Sequence, residues 1–191
     1  MLSKKQQSWL VVGIVLLALV LDQVSKVYIK THFQLGEARE VFSWFWIVFV
    51  ENNGMAFGIE WFSKLLLTLF RIVAVVVLGW YIHTMIHKQT VRVGYLTTVA
   101  MVVAGALGNI IDCVFYGKIW GYADWFYGRV VDMLYFPLIR NAAGECIFFR
   151  PVFNIADSFI TVAVILILLF YRKDLDHSLS AISNRKEEDK K

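Results

Sequence analysis

At 191 residues, 59% hydrophobic and 18% charged, with a mean hydropathy of +0.62, the chain is more apolar than a soluble domain; such a domain is ordinarily about 45–50% apolar and about 25% charged. The excess falls in blocks, which excludes a large soluble core and points to a membrane protein whose length suits one domain with four spans of about 20 residues. The net charge of +4 sits largely at the two ends, with no basic stripe of interleaved aromatics, so nucleic acid is excluded as a partner.

In chain order, Lys4 and Lys5 precede an apolar run from Trp9 to Leu21 that has the composition of a signal peptide. No small-x-small cleavage site follows. Asp22-Gln23-Val24-Ser25-Lys26 instead carries the pattern toward Lys30, so a retained helix over 9–30 is expected. In the connection 31–64, Val41 to Val50 is dense in β-branched and aromatic residues, Trp44 and Trp46 among them, which predicts strands. Glu51-Asn52-Asn53-Gly54 then reads as a turn. This is a small extramembrane cradle with aromatics suited to the membrane interface. The second span, 65–86, is broken only by Arg71, and His87 to Arg92 is a short basic loop. The third, 93–112, begins with 19 uncharged residues and carries Ala100, Ala104 and Gly108 as a small-residue stripe that lets helices approach closely.

Residues 113–153 form a long loop rich in aromatics, including Trp120, Trp125 and Tyr127. It also holds both cysteines, Cys113 and Cys146, which match no metal spacing and fit a disulfide or two thiols equally well. Phe153-Asn154-Ile155-Ala156-Asp157 opens the fourth span, 154–171, and residues 172–191 read as a charged, disordered tail. Two Lys or Arg lie in the first eight residues, two in the 87–92 loop and six in the tail. The two long loops hold only Arg39, Lys64, Lys118, Arg129, Arg140 and Arg150. The positive-inside bias therefore places both termini in the cytoplasm and both long loops outside. The expected architecture is an all-α, four-helix membrane bundle of a single domain, with a small extracytoplasmic β-cradle.

All four spans deliver polar groups to the outer membrane–water boundary. Asp22 lies ~20 Å along the first at helical rise, Arg71 near the outer end of the second, Asn109 and Asp112 at the end of the third, and Asn154 and Asp157 at the start of the fourth. Each has a bland role. Asp22 and Lys26 suit an i,i+4 ion pair with the lysine reaching outward. Arg71 suits a lipid phosphate or a carboxylate, Asn109 with Asp112 a helix end or bundle tie, and Asp157 a cap. Asp132, within Val130-Val131-Asp132-Met133-Leu134, tips the balance by offering Asp157 a second carboxylate. Two adjacent carboxylates share a proton; the ionised one takes a proton from water while the protonated one polarises a carbonyl. That is peptide hydrolysis without a covalent intermediate. None of the four histidines lies beside a serine or cysteine in an external motif, and no metal-ligand cluster is visible. The rival is a small transporter or proton-relay protein using Asp22, Asp112 and Asp157. It requires titratable groups continuing inward, which the inner halves of the third and fourth spans lack.

Five blocks in this order resemble the lipoprotein signal peptidase (signal peptidase II) family of bacterial membrane aspartic peptidases. They are Asp22-Gln23-Val24-Ser25-Lys26, Asn52-Asn53-Gly54-Met55-Ala56-Phe57, Gly108-Asn109-Ile110-Ile111-Asp112, Val130-Val131-Asp132 and Phe153-Asn154-Ile155-Ala156-Asp157-Ser158. The resemblance covers nearly the whole chain. It implies Asp132 and Asp157 as the catalytic pair, with Asp22, Asn52, Gly54, Gly108, Asn109, Asp112, Asn154 and Ala156 supporting the site and substrate. Lys26 and Arg71 join them from the reading above. The implied reaction removes the signal peptide of a diacylglyceryl-modified prolipoprotein just before its lipidated cysteine, at the outer face of the bacterial inner membrane. No cofactor or metal is implied. Membrane lipids, a monomeric state and sensitivity to globomycin-type cyclic peptides are expected, as is a lipid groove along the Ala100/Ala104/Gly108 seam. The 33–58 region resembles the family's cradle. The chain departs from the family at Cys113, where arginine is usual and Arg129 or Arg71 are the candidates to compensate, and in longer stretches at 113–129 and 134–150.

Overall fold

The computed structural model describes residues 2–53, 64–88, 91–141, 146–148 and 151–188. Gly54, expected at the site, lies outside them. Helix α1 (Lys4–His32) starts on a capping box, in which Ser3 Oγ accepts from the Gln6 N–H and Gln6 Oε1 accepts from the Ser3 N–H, at 3.2 and 2.8 Å. This satisfies two otherwise open backbone donors. There follow β1 (Ala38–Phe42), β2 (Phe45–Asn52), α2 (Lys64–Lys88) and α3 (Val93–Ile111). α3 continues through one π-helical turn, Asp112–Tyr116, into α4 (Gly117–Ile119). Then come β3 (Val130–Tyr135), β4 (Ile139–Arg140), β5 (Cys146–Phe148), β6 (Val152–Phe153) and α5 (Ile155–Leu166). A second π turn, Ile167–Tyr171, joins α5 to α6 (Arg172–Glu188).

Among the described residues, four helical stretches are long and apolar enough to cross a membrane: Lys4–His32, Lys64–His87, Val93–Ile119 and Ile155–Ile182. The third is the hub, because 56% of its most apolar stretch is buried against 11–17% for the others. The outer helices turn Leu17, Phe70 and Leu169 outward as a lipid-facing surface. Lipid is as apolar as leucine, so close packing and interhelical hydrogen bonds hold such helices together. The small-residue stripe supplies the packing. A Cβ on Gly105 would strike the Ala156 carbonyl, and one on Gly108 would lie 2.6 Å from Asp22 Oδ2 and 3.1 Å from Ala156 Cβ. Ala100 and Ala104 are buried too. The stripe is therefore a helix–helix seam and not the lipid groove expected there. An apolar groove of about 460 Å³ lies instead beside α1, lined by Val20, Leu21, Val24, Tyr28, Ile47 and Leu134 among others.

One end of the bundle gathers the chain's N-terminus, the α2–α3 turn and α6. Lys4 Nζ donates to the His87 carbonyl at 2.9 Å, and Arg92 pairs with Asp174. Tyr81, Tyr95 and Ser178 share a buried hydroxyl cluster there. The expectation of a disordered tail is corrected by this cluster: α6 is helical to Glu188, and Leu175, Ser178 and Ile182 give it a face that packs.

The other end carries an antiparallel sheet in the order β1-β2-β3-β6, with β4 and β5 paired separately. The fold is a helix bundle capped by a sheet rather than all-α. The cradle also takes two of its four strands from the second long connection, beyond the 31–64 segment. Its register pairs Val50 with Asp132 and Asn52 with Val130. Phe49, Val131 and Met133 face Ile29 and Tyr116 in a small core, and strand alternation turns Asn52 and Asp132 to the opposite face.

Candidate active site

Asn154 sits at the N-cap of α5 in extended conformation, and its Oδ1 accepts the Asp157 N–H at 2.9 Å. An asparagine oxygen committed to a helix cap leaves its NH2 to point elsewhere. Here Nδ2 donates to Asp132 Oδ1 at 2.6 Å and to Asn109 Oδ1 at 3.2 Å. Asn109, near the end of α3, donates from Nδ2 to Asp157 Oδ1 at 2.7 Å. Its Oδ1 also accepts from Lys26 Nζ at 3.0 Å. Asn52 Nδ2 adds a bond to Asp132 Oδ2 at 3.1 Å. The carboxylates of β3 and α5 are thus joined by two amides. Each amide is oriented by a group that can only donate, the Lys26 ammonium or the Asp157 backbone N–H.

Beneath this pair lies a buried charged layer. Lys26 is fully buried and reaches Asp22 Oδ2 at 2.8 Å and Asp112 Oδ2 at 2.7 Å. The i,i+4 pair with Asp22 exists, but the lysine points into the bundle and not outward. Its three N–H groups find three oxygens, which is what a charge removed from water requires. Gln23 Nε2 donates to Asp22 Oδ2 and Asp112 Oδ1, both at 3.0 Å, and its Oε1 accepts from the Tyr116 hydroxyl at 3.1 Å. Asp22 Oδ1 takes the Ala156 N–H at 2.9 Å, so one helix caps the start of another. Asp112 Oδ2 accepts the Val131 N–H at 3.3 Å, tying the end of α3 to the strand that carries Asp132.

Asp132 is 2% exposed. Burial pushes its carboxyl up to about 7, the charge of Asp157 adds to the rise, and the Asn52 and Asn154 amides and Lys26 oppose it. Asp157 is only partly buried, which gives the pair its accessible side. One carboxyl held near neutrality beside a second can keep a proton while its neighbour is ionised.

Asp22, Lys26, Asn52, Gly108, Asn109, Asp112, Asp132, Asn154, Ala156 and Asp157 all converge here. Arg71 instead donates to Cys113 Sγ at 3.2 Å. Of the two arginines considered for the Cys113 departure, Arg71 thus touches that position, whereas Arg129 pairs with Glu51 at 3.0 Å. No disulfide joins Cys113 to Cys146, and Cys113 lies in the π turn and not in a loop. Sequence reasoning missed Gln23 and Tyr116 as site residues. Gln23 carried a signal as the neighbour of Asp22, while Tyr116 looked like loop.

The chain matches the family described as signal peptidase (SPase) II over residues 14–172. This chain belongs to the signal peptidase II family. It is 43% identical to the lipoprotein signal peptidase of Porphyromonas gingivalis over 194 residues, covering 89% of this chain and 86% of the relative. The lipoprotein signal peptidase of Amoebophilus asiaticus is 36% identical over 187 residues, covering 87% and 79%. A solved structure described as a bacterial membrane enzyme, determined in meso at 2.3 Å resolution, superposes with a TM-score of 0.67 at 29% identity, covering 87% of this chain and 90% of that one. As a signal peptidase II the protein is a protease, which sets the transporter alternative aside.

Proposed function

We propose that this peptidase removes signal peptides from diacylglyceryl-modified prolipoproteins, cutting just before the lipidated cysteine, with Asp132 and Asp157 as the catalytic pair. The lipoprotein signal peptidases it is similar to support the substrate class. The observation that carries the pair is the double amide bridge, in which Asn109 and Asn154 hold the two carboxylates in one hydrogen-bonded unit. Burial pushes the Asp132 carboxyl up to about 7, which suits it to carry the shared proton, and Asp157, on the accessible side, is assigned the role of base. Asp157 takes a proton from water as the oxygen attacks the scissile carbonyl, and Asp132 donates its proton to the carbonyl oxygen. Collapse of the resulting diol breaks the C–N bond as Asp157 returns its proton to the cysteine's leaving amine and Asp132 takes a proton back from a diol hydroxyl, which restores both carboxyls. No cofactor enters this scheme.

The substrate's lipid fixes its cleavage site at the membrane surface, which suits a pair held where α5 begins. By the positive-inside bias the pair lies on the outer face of the bacterial inner membrane, with both termini in the cytoplasm. The enzyme acts as a monomer among membrane lipids and is open to globomycin-type inhibitors. The test is mass analysis of the peptides released from one prolipoprotein with and without its diacylglyceryl group. Cleavage before the cysteine only when lipid is attached is the expected result; equal cleavage of both forms would contradict the substrate assignment.

A further inference from the structure

We propose that Lys30, Glu51 and Arg129 form a clamp that holds Asn52 on Asp132, which makes Glu51 a positioning residue for the reaction. The inference rests on the catalytic assignment of Asp132 above. Glu51 divides its carboxylate between two cations: Oε1 takes Lys30 Nζ from the last turns of α1, and Oε2 takes Arg129 Nη1 at 3.0 Å from the segment leading into β3. The Lys30 and Glu51 side chains are only 8% and 10% exposed. Aromatic rings wall the pair, with Lys30 Nζ at 5.0, 5.2 and 5.6 Å from the ring centroids of Tyr122, Trp120 and Phe49. Tyr122 also accepts the Arg129 N–H at 2.7 Å and lies under its guanidinium. Burial opposes a charge on Glu51, and Lys30 and Arg129 overcome it, holding the carboxyl below the usual range.

The location gives this cluster its consequence. Asn52 is the last residue of β2, paired with Val130, and its neighbour Asn53 lies outside the strand. A strand end frays unless something ties it. Glu51 faces the aromatic side of the sheet, so by alternation its neighbour Asn52 faces the opposite side, where its amide meets Asp132. The clamp thus joins α1, the end of β2 and the start of β3 at one point, one residue from Asn52 and three from Asp132. The groups that face Asp132 itself are Asp157 from α5, Lys26 from α1, Asn52 from β2 and Asn154 from the cap. Asn52 is the one among them that the clamp controls. When its N–H leaves Asp132, the ionised carboxylate loses a donor and the shared proton is held more tightly.

The test is a double-mutant cycle with Glu51→Ala, Asn52→Ala and both, read as kcat, KM and the pH profile of prolipoprotein cleavage in detergent. Asp132→Asn runs in the same assay, and Arg129→Gln is a milder second break in the clamp. Glu51→Ala is expected to lose about tenfold to a hundredfold in kcat through misplacement. KM should stay within about twofold, because the clamp acts on the reacting geometry more than on ground-state binding. The pH bell should move upward as in Asn52→Ala, the double variant should add little to the larger single loss, and Arg129→Gln should move the bell in the same direction to a smaller extent. Additive losses, or an unshifted bell in both clamp variants with Asp132→Asn inactive, would overturn the clamp alone. Full activity in Asp132→Asn would overturn the clamp and the catalytic assignment together.

Discussion

Asn154 shows how one side chain can serve both a helix and the proposed catalytic pair. Its oxygen starts α5 and its nitrogen joins the two aspartates. The sequence marked Asn154 and Asp157 as a pair three apart, but it could not reveal which end of the amide faced which partner, because the cap and the Asp132 contact lie on different elements. Asn154→Ser separates the two roles. A serine still caps, so its stability loss should be smaller than the roughly 1 kcal/mol that Asn154→Ala forfeits at the cap. Both variants should lose turnover by about a hundredfold as a preorganised donor disappears; thermal unfolding and cleavage rates measure the two effects. Asp132 carries a second residue-level expectation. Its folded carboxyl, near 7, is raised above the ordinary 3.8, so between those values the folded state binds more protons than the unfolded chain. This residue's contribution to stability therefore declines as pH rises from about 4 through about 7 and is least favourable above 7. Asp132→Asn should accordingly melt at a higher temperature than wild type at pH 8, with the difference shrinking toward pH 5.

Among the elements, the four spans were legible from hydropathy alone, because twenty apolar residues in sequence have few other readings. The seam of α3 was half legible. The stripe Ala100, Ala104 and Gly108 predicted close approach, and Gly105 and Gly108 make it against Ala156. What the stripe could not disclose was that another helix, and not lipid, fills it. Gly105→Val should push α5 away from α3 at a cost of about 1–3 kcal/mol and lower activity as the cap of α5 shifts; thermal unfolding in detergent and the cleavage rate check both. The tail misled for a different reason. Its charge density reads as solvated chain, while the three residues that dock α6 sit among those charges at helical spacing. Hydrogen exchange should find slow amides from Arg172 to about Ser178, where the helix packs; uniformly fast exchange would contradict the docked helix.

At the scale of the whole molecule, chain direction sorts the parts. With four spans alternating, the N-terminus, the α2–α3 turn and α6 meet at one end, and the sheet, the buried Asp22–Lys26–Asp112 layer and the aspartate pair gather at the other. The charge distribution along the sequence already pointed to such a division. The gathering of five sequence blocks into one network needed the folded chain, since Asn52, Asn109 and Asp132 meet only through sheet register and helix packing. On the catalytic assignment proposed above, Asp132 and Asp157 act as one unit. The most direct test of that assignment is cleavage of a diacylglyceryl-modified prolipoprotein in detergent by wild type, Asp132→Asn and Asp157→Asn, each verified as folded. Asparagine keeps the shape and removes the ionisable carboxyl, so wild type is expected to cleave and each single variant to be inactive. Near-normal turnover by either variant would contradict the assignment.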